Sequence, residues 1–220
     1  DDGAPRAFVS PELYQISPLS ADELERYTLL AWAERRCRKE ERRRQKGKLQ
    51  KQAFALDMAK RVAHTTDPIH DSLLVLESKE MQAKAVAQFQ NVMKYMKDYP
   101  SRSKNLTLFA QEVARQALAH EALRDEVLLQ VCKQLHGNAR AESELRGWQL
   151  LCVLVSTLRP SDDFAPYVKA FCQRAFARVQ DADAGDERRA LIKQALVNME
   201  KARKARVARA HAPLDTTELL

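Results

Sequence analysis

The stretch ALRDEVLLQVCKQLHGNARAESELRGWQLLC, residues 122–152, decides the fold. Leu123, Val127, Leu128, Val131 and Leu135 recur at three- and four-residue steps, which places them on one face of a helix. Gly137 then suits the left-handed position that ends a helix. A second helix follows, with Ser143 as its expected N-cap and Trp148, Leu151, Cys152 and Val155 as its buried stripe. Two amphipathic helices joined by a polar turn are therefore predicted. The polar residues among the apolar ones, Arg124, Asp125, Glu126, Gln130, Lys133, Gln134 and Arg146, are the less common feature.

Working outward, the same pattern continues on both sides. Residues 78–98 place Met81, Ala85, Phe89, Val92, Met93 and Met96 on one helical face, and Leu106, Phe109, Val113 and Ala117 make another. Phe164, Val168, Phe171, Cys172 and Phe176 make a third, joined by short polar connections. Only five glycines in 220 residues, amid abundant Ala, Leu, Gln, Lys, Glu and Arg, argue for an all-α protein. The fold class expected is a compact helical bundle with charged helical extensions at both ends. Its predicted divisions are an irregular lead-in at 1–18, a long basic helix at 19–65, a helical domain at 66–180 and a C-terminal basic helix at 186–211.

The central polar set resembles the myosin tail homology 4 domain, a helical module of unconventional myosin tails, some kinesins and a few cytoskeletal adaptors and Rho-regulating proteins. The residues that carry the resemblance are Leu123-Arg124-Asp125-Glu126, Gln130, Lys133-Gln134, Arg146-Gly147-Trp148 and Leu150-Leu151. Flanking matches are Pro68-Ile69, Ser72-Leu73-Leu74, Tyr95-Met96-Lys97-Asp98, Arg159-Pro160-Ser161, Phe164, Tyr167 and Phe171. Lys97 stands where the family usually has glycine. The resemblance implies a non-catalytic cytoskeletal module, a FERM or other module elsewhere in the parent chain, and a cytoplasmic, cytoskeletal location. It includes microtubule binders, so a microtubule or another acidic protein surface is the expected partner. A spacer in a motor protein, or a targeting domain of a Rho GTPase-activating protein, stays open beside that reading.

Charge locates the candidate site. The formal net charge is +7, and the segment from Glu34 to Lys48 alone carries nine bases (Arg35, Arg36, Arg38, Lys39, Arg42, Arg43, Arg44, Lys46, Lys48) against three acids. Internal pairing at helical spacing leaves about six of these charges uncompensated, so an acidic partner is expected to relieve the repulsion. Lys201, Arg203, Lys204 and Arg206 form a second cluster, part of which simply complements the C-terminal end of a helix dipole. Aromatics are not interleaved with the bases, and no nucleic-acid-binding signature accompanies them, so specific nucleic-acid binding is not expected. Arg124, Asp125, Gln130, Lys133, Arg146 and Trp148 are assigned to structure, with Arg124 and Arg146 each reaching a carboxylate on a neighbouring helix.

Catalysis finds no support. The five histidines share no metal-ligand spacing, His70-Asp71-Ser72 is too local to be a triad, and there is no phosphate-cradling glycine loop. No enzyme activity, cofactor or metal is expected. Neither a membrane-spanning run nor a signal-peptide pattern is present. The four cysteines lack Cys-x-x-Cys spacing, and three fall on apolar helix faces, as free buried thiols in a reducing compartment do.

Overall fold

The computed structural model describes residues 16–37, 48–180 and 186–210. The chain runs through α1 (Ala21–Arg26), α2 (Leu29–Arg36), α3 (Lys48–Arg61), α4 (Lys79–Met96) and α5 (Thr107–Ala119), then a 3₁₀ turn at Glu121–Leu123. It continues through α6 (Arg124–Leu135), α7 (Ala141–Thr157), α8 (Ala165–Val179) and α9 (Glu187–Ala210). Among the described residues there is no strand, only an isolated antiparallel bridge between Cys37 and Leu74. No described helix is long and apolar enough to cross a membrane. The all-α expectation is met.

Helix α6 is the centre of the molecule. Every residue from Glu126 to Leu135 is buried, so α6 is enclosed on all faces rather than amphipathic. That corrects the expected amphipathic pattern, because Glu126, Gln130, Lys133 and Gln134 are as hidden as the leucines. Their role follows from what crosses them. Residues 62–78 form an irregular strap whose buried backbone groups need partners, and α6 supplies them. Glu126 accepts hydrogen bonds from the Leu73 and Leu74 amides at 2.9 and 2.7 Å, and from Gln130 Nε2 at 2.8 Å. Gln130 Nε2 also donates to Ala85 O of α4 at 2.9 Å. The Gln134 side-chain amide pairs with both backbone groups of Thr65, accepting from its N–H at 3.1 Å and donating to its C=O at 2.9 Å. Lys133 Nζ donates to Ala63 O and, at 3.4 Å, to Lys60 O, placing its charge on the carbonyls that end α3.

Burial pushes the Lys133 ammonium down from an ordinary 10.5 to about 8, helped by the neighbouring Arg61 charge. Between about pH 8 and 10.5 the unfolded chain therefore holds a proton at this site that the folded chain has lost, so this group's contribution makes stability rise with pH. The buried thiols oppose it. Cys37 and Cys172 are pushed up by burial from 9.0 to about 12, so the unfolded chain releases their protons first and stability falls above pH 9. The Lys133 contribution is thus visible only against a non-titrating side chain. Denaturant unfolding of wild type and Lys133→Met is expected to show wild type gaining about 2 kcal/mol relative to the variant between pH 7.5 and 10. A difference that stays flat over that range would contradict the desolvated ammonium.

Helix α7 packs against α6 at Gly147, where an added Cβ would lie 2.7 Å from both Leu135 Cδ2 and Met96 Cε. The close approach expected of this glycine is therefore real. It lets Trp148 enter the core and stack on Phe171 of α8, with ring centroids 5.6 Å apart. Ser143 does not cap α7. The helix begins at Ala141, and the buried Ser143 Oγ accepts from Asn138 Nδ2 at 2.8 Å. Gly137 does adopt the left-handed conformation, at φ 77°.

Lys97, at the C-cap of α4, has φ 63° and ψ 25°. A side chain in that region costs about 1–2 kcal/mol, while its exposed bridge to Glu142 (2.5 Å) is of the kind worth little. Lys97→Gly is expected to raise Tm by about 2 °C in thermal unfolding, part of the relief being lost to the freer unfolded chain.

The terminal helices are part of the packed body, which corrects the picture of extensions. The single helix expected across 19–65 is broken twice within the described residues. Tyr27 is non-helical, and Thr28 caps α2 by accepting from Ala31 N at 3.0 Å. Arg174 of α8 closes that break by donating to Leu24 O and Tyr27 O at 2.5 and 3.0 Å. Beyond Arg36 the chain turns extended at Cys37. Trp32, 1% exposed, stacks on Phe164 at 4.6 Å and meets Tyr167 at 4.9 Å. At the other end, Ile192, Ala195 and Leu196 of α9 are buried against α7 and α8 in the same core.

Candidate interaction surface

The α7–α8 loop, residues 158–164, is held down by Asp125. The Asp125 carboxylate accepts from Ser161 N at 2.8 Å and Ser161 Oγ at 2.5 Å, so the second residue of α6 fixes a loop that belongs to two other helices. Neighbouring Arg124 does not clamp a second helix as expected. It pairs with Glu121 in the preceding 3₁₀ turn at 3.1 Å. Arg146 likewise pairs along its own helix, with Glu142 at 3.5 Å. Both corrections have one cause: each arginine lies one turn from a carboxylate on its own segment, and the local partner is reached first.

Several basic residues gather around the fixed loop. Arg35 reaches Asp163 at 3.4 Å, and Arg36 shares the same carboxylate at 4.0 Å while lying over the Trp32 ring. Arg159 pairs with Asp162 at 2.8 Å. On the far side, Arg203 of α9 binds Glu200 at 2.5 Å, and Lys169 of α8 meets the same carboxylate at 3.7 Å. Burial works to raise the Glu200 carboxyl, yet Arg203, Lys169 and Lys204 outweigh it and hold it below the usual carboxylate range. Several cations thus share one buried acid.

The loop forms a ridge between two depressions, with Arg159 and Pro160 lining both. One is a groove of about 990 Å³ edged by Arg35, Arg36 and Arg124, with Leu74 and Leu76 in its walls. The other is a cleft of about 210 Å³ between the loop and α9, edged by Arg159 and Arg203.

Of the sequence-predicted contact residues, Arg35, Arg36, Lys201, Arg203 and Lys204 have described side chains, and Lys201 is exposed. Lys48 opens α3 and Arg206 lies within α9. Arg38, Lys39, Arg42, Arg43, Arg44 and Lys46 lie outside the described residues. The ends of the two clusters that are described converge on one loop, with α8 between α2 and α9. Arg159, Lys169 and Asp163 were not singled out as site residues. Arg159 alone had a local signal, as a base next to a turn proline. No cluster of three or more metal-binding side chains occurs among the described residues.

Fold and surface together define an all-helical module with one charged loop region. Comparison with known proteins is more particular. The MyTH4 domain family profile matches residues 110–218, running from α5 through α9. The Dictyostelium discoideum myosin-I heavy chain is 29% identical over 183 residues, covering 80% of this chain and 7% of its own length. Human unconventional myosin-XVB is 37% identical over 113 residues, covering 51% of this chain and 4% of its own. A solved structure of the human myosin 7b C-terminal MyTH4-FERM domain, in complex with the harmonin-a PDZ3 domain, superposes with a TM-score of 0.60. It is 27% identical, and the match covers 81% of this chain and 32% of that one. The chain therefore belongs to the myosin tail homology 4 family, and it spans less than a tenth of the length of these curated relatives.

Proposed function

We propose that this chain is a non-catalytic tail module of a motor protein that docks on an acidic protein surface, with the microtubule as the surface of choice. The observation that carries this reading is the gathering of Arg35, Arg36, Arg159 and Arg203 around the α7–α8 loop, held by acids that are mostly exposed or shared. Exposed ion pairs of this kind are worth about 0–1 kcal/mol, so a partner's carboxylates can replace them. In sequence, Arg38, Lys39, Arg42, Arg43, Arg44 and Lys46 follow Cys37 as further basic residues. Association of this type is fast and salt-sensitive.

Relatives support the setting. The two relatives compared are a myosin-I heavy chain and an unconventional myosin, and a MyTH4-FERM neighbour was solved with a harmonin PDZ domain. We take this chain to sit in a cytoskeletal protein beside a FERM module, with protein partners chosen by the pair. A pure spacer role is the second reading, favoured by the fact that each described arginine of the loop region already has a carboxylate within 4.0 Å.

Charge reversal separates the two. Arg42, Arg43 and Arg44 changed together to Glu are expected to lower microtubule co-pelleting about tenfold or more at fixed low salt, with melting unchanged. Unchanged co-pelleting would leave the spacer.

A further inference from the structure

The small cleft on the α9 side of the loop has an apolar interior in a basic surround. Val155, Pro160, Ala165, Met199 and Ala202 line it, and its volume is about 210 Å³. A cavity of about 150 Å³ holds a benzene ring, so one bulky aliphatic or aromatic side chain fits. The rim carries Arg159 and Arg203, while Lys169 and Lys204 act on the same buried Glu200 that Arg203 binds. Arg159 and Asp162 are both substantially exposed, so their pair is readily exchanged for an incoming carboxylate. Apolar interior and cationic rim together select a ligand that is acidic around one large apolar residue.

We infer that the acidic partner is gripped by such an anchor: a linear acidic segment seats one Leu-sized or larger side chain between Met199, Ala202 and Pro160, with flanking carboxylates on Arg159 and Arg203. This rests on the electrostatic docking proposed above and deepens it. Charge draws the partner in, and the cleft chooses among acidic sequences by the residue at the anchor position. Specificity then resides in the slow, buried contact and encounter rate in the exposed charges.

Two fluorescein-labelled Asp/Glu decapeptides test this by anisotropy on the 220-residue chain, one with a central Leu and one with Ser in its place. The Leu peptide is expected to bind about tenfold or more tightly than the Ser peptide, the difference that burying one such side chain supplies. Ala202→Leu, which fills the cleft, is expected to erase that difference. The two peptides need no variant protein, so the comparison stands even where Ala202→Leu folds poorly. Equal binding of both peptides would overturn the anchor and leave charge-only docking intact. Failure of both peptides at low salt would overturn the docking reading and the anchor with it.

Discussion

Glu126→Ala is expected to cost about 4 kcal/mol, among the largest effects of any single substitution in this chain. The carboxylate is fully buried and its donors include the Leu73 and Leu74 amides and Gln130 Nε2. Each donor stranded in the interior costs about 1–3 kcal/mol, and bonds to a charged acceptor lie at the upper end. Glu126→Gln keeps one acceptor oxygen but turns an NH₂ towards an N–H, so it is expected to recover only part of the loss. Thermal unfolding gives the magnitude. Amide exchange gives the place: the Leu73 and Leu74 amides are expected to exchange faster in both variants, well before the α4 amides do. Uniform acceleration throughout the chain would mean that Glu126 supports the whole fold rather than the strap.

Trp148→Ala follows, with an expected loss of about 3–5 kcal/mol and a Tm lowered by roughly 10 °C. The indole is 2% exposed and stacks on Phe171, so its removal opens a cavity at the α7–α8 contact. A conservative variant sharpens this. Trp148 Nε1 has no hydrogen-bond partner among the described residues, so the residue contributes volume rather than a polar contact. Trp148→Phe is therefore expected to recover more than half of the stability that Trp148→Ala loses. A Phe variant as unstable as the Ala variant would point to a missing partner for the indole nitrogen.

These two residues mark what a sequence of this kind discloses. Trp148 is legible because packing against neighbouring helices imposes a 3.6-residue period, and Leu151 and Val155 repeat it. Glu126 is not legible by period. Its partners are backbone amides of an irregular strap some fifty residues earlier, and a backbone amide leaves no mark in the sequence. Gln134 and Lys133 are hidden for the same reason, since they bond Thr65, Ala63 and Lys60 through main-chain atoms. Only resemblance to a family singled these residues out, and it gave their identity without their role.

The break at Tyr27 was unreadable because no glycine or proline marks it. Thr28 and a distant Arg174 do the work that a turn residue would otherwise do. The convergence of Arg35 with Arg203 was invisible because it depends on where α2 and α9 dock. Charge clusters were plain in the sequence, but their common address at the α7–α8 loop was not.

The most direct test of the central claim, that surface charge around one rigid loop holds an acidic partner, is the salt dependence of microtubule binding. Co-pelleting measured from about 50 to 300 mM salt is expected to show affinity falling steadily, as screening shortens the reach of exposed charges from above 10 Å to below it. Affinity that stays constant over that range would contradict the account.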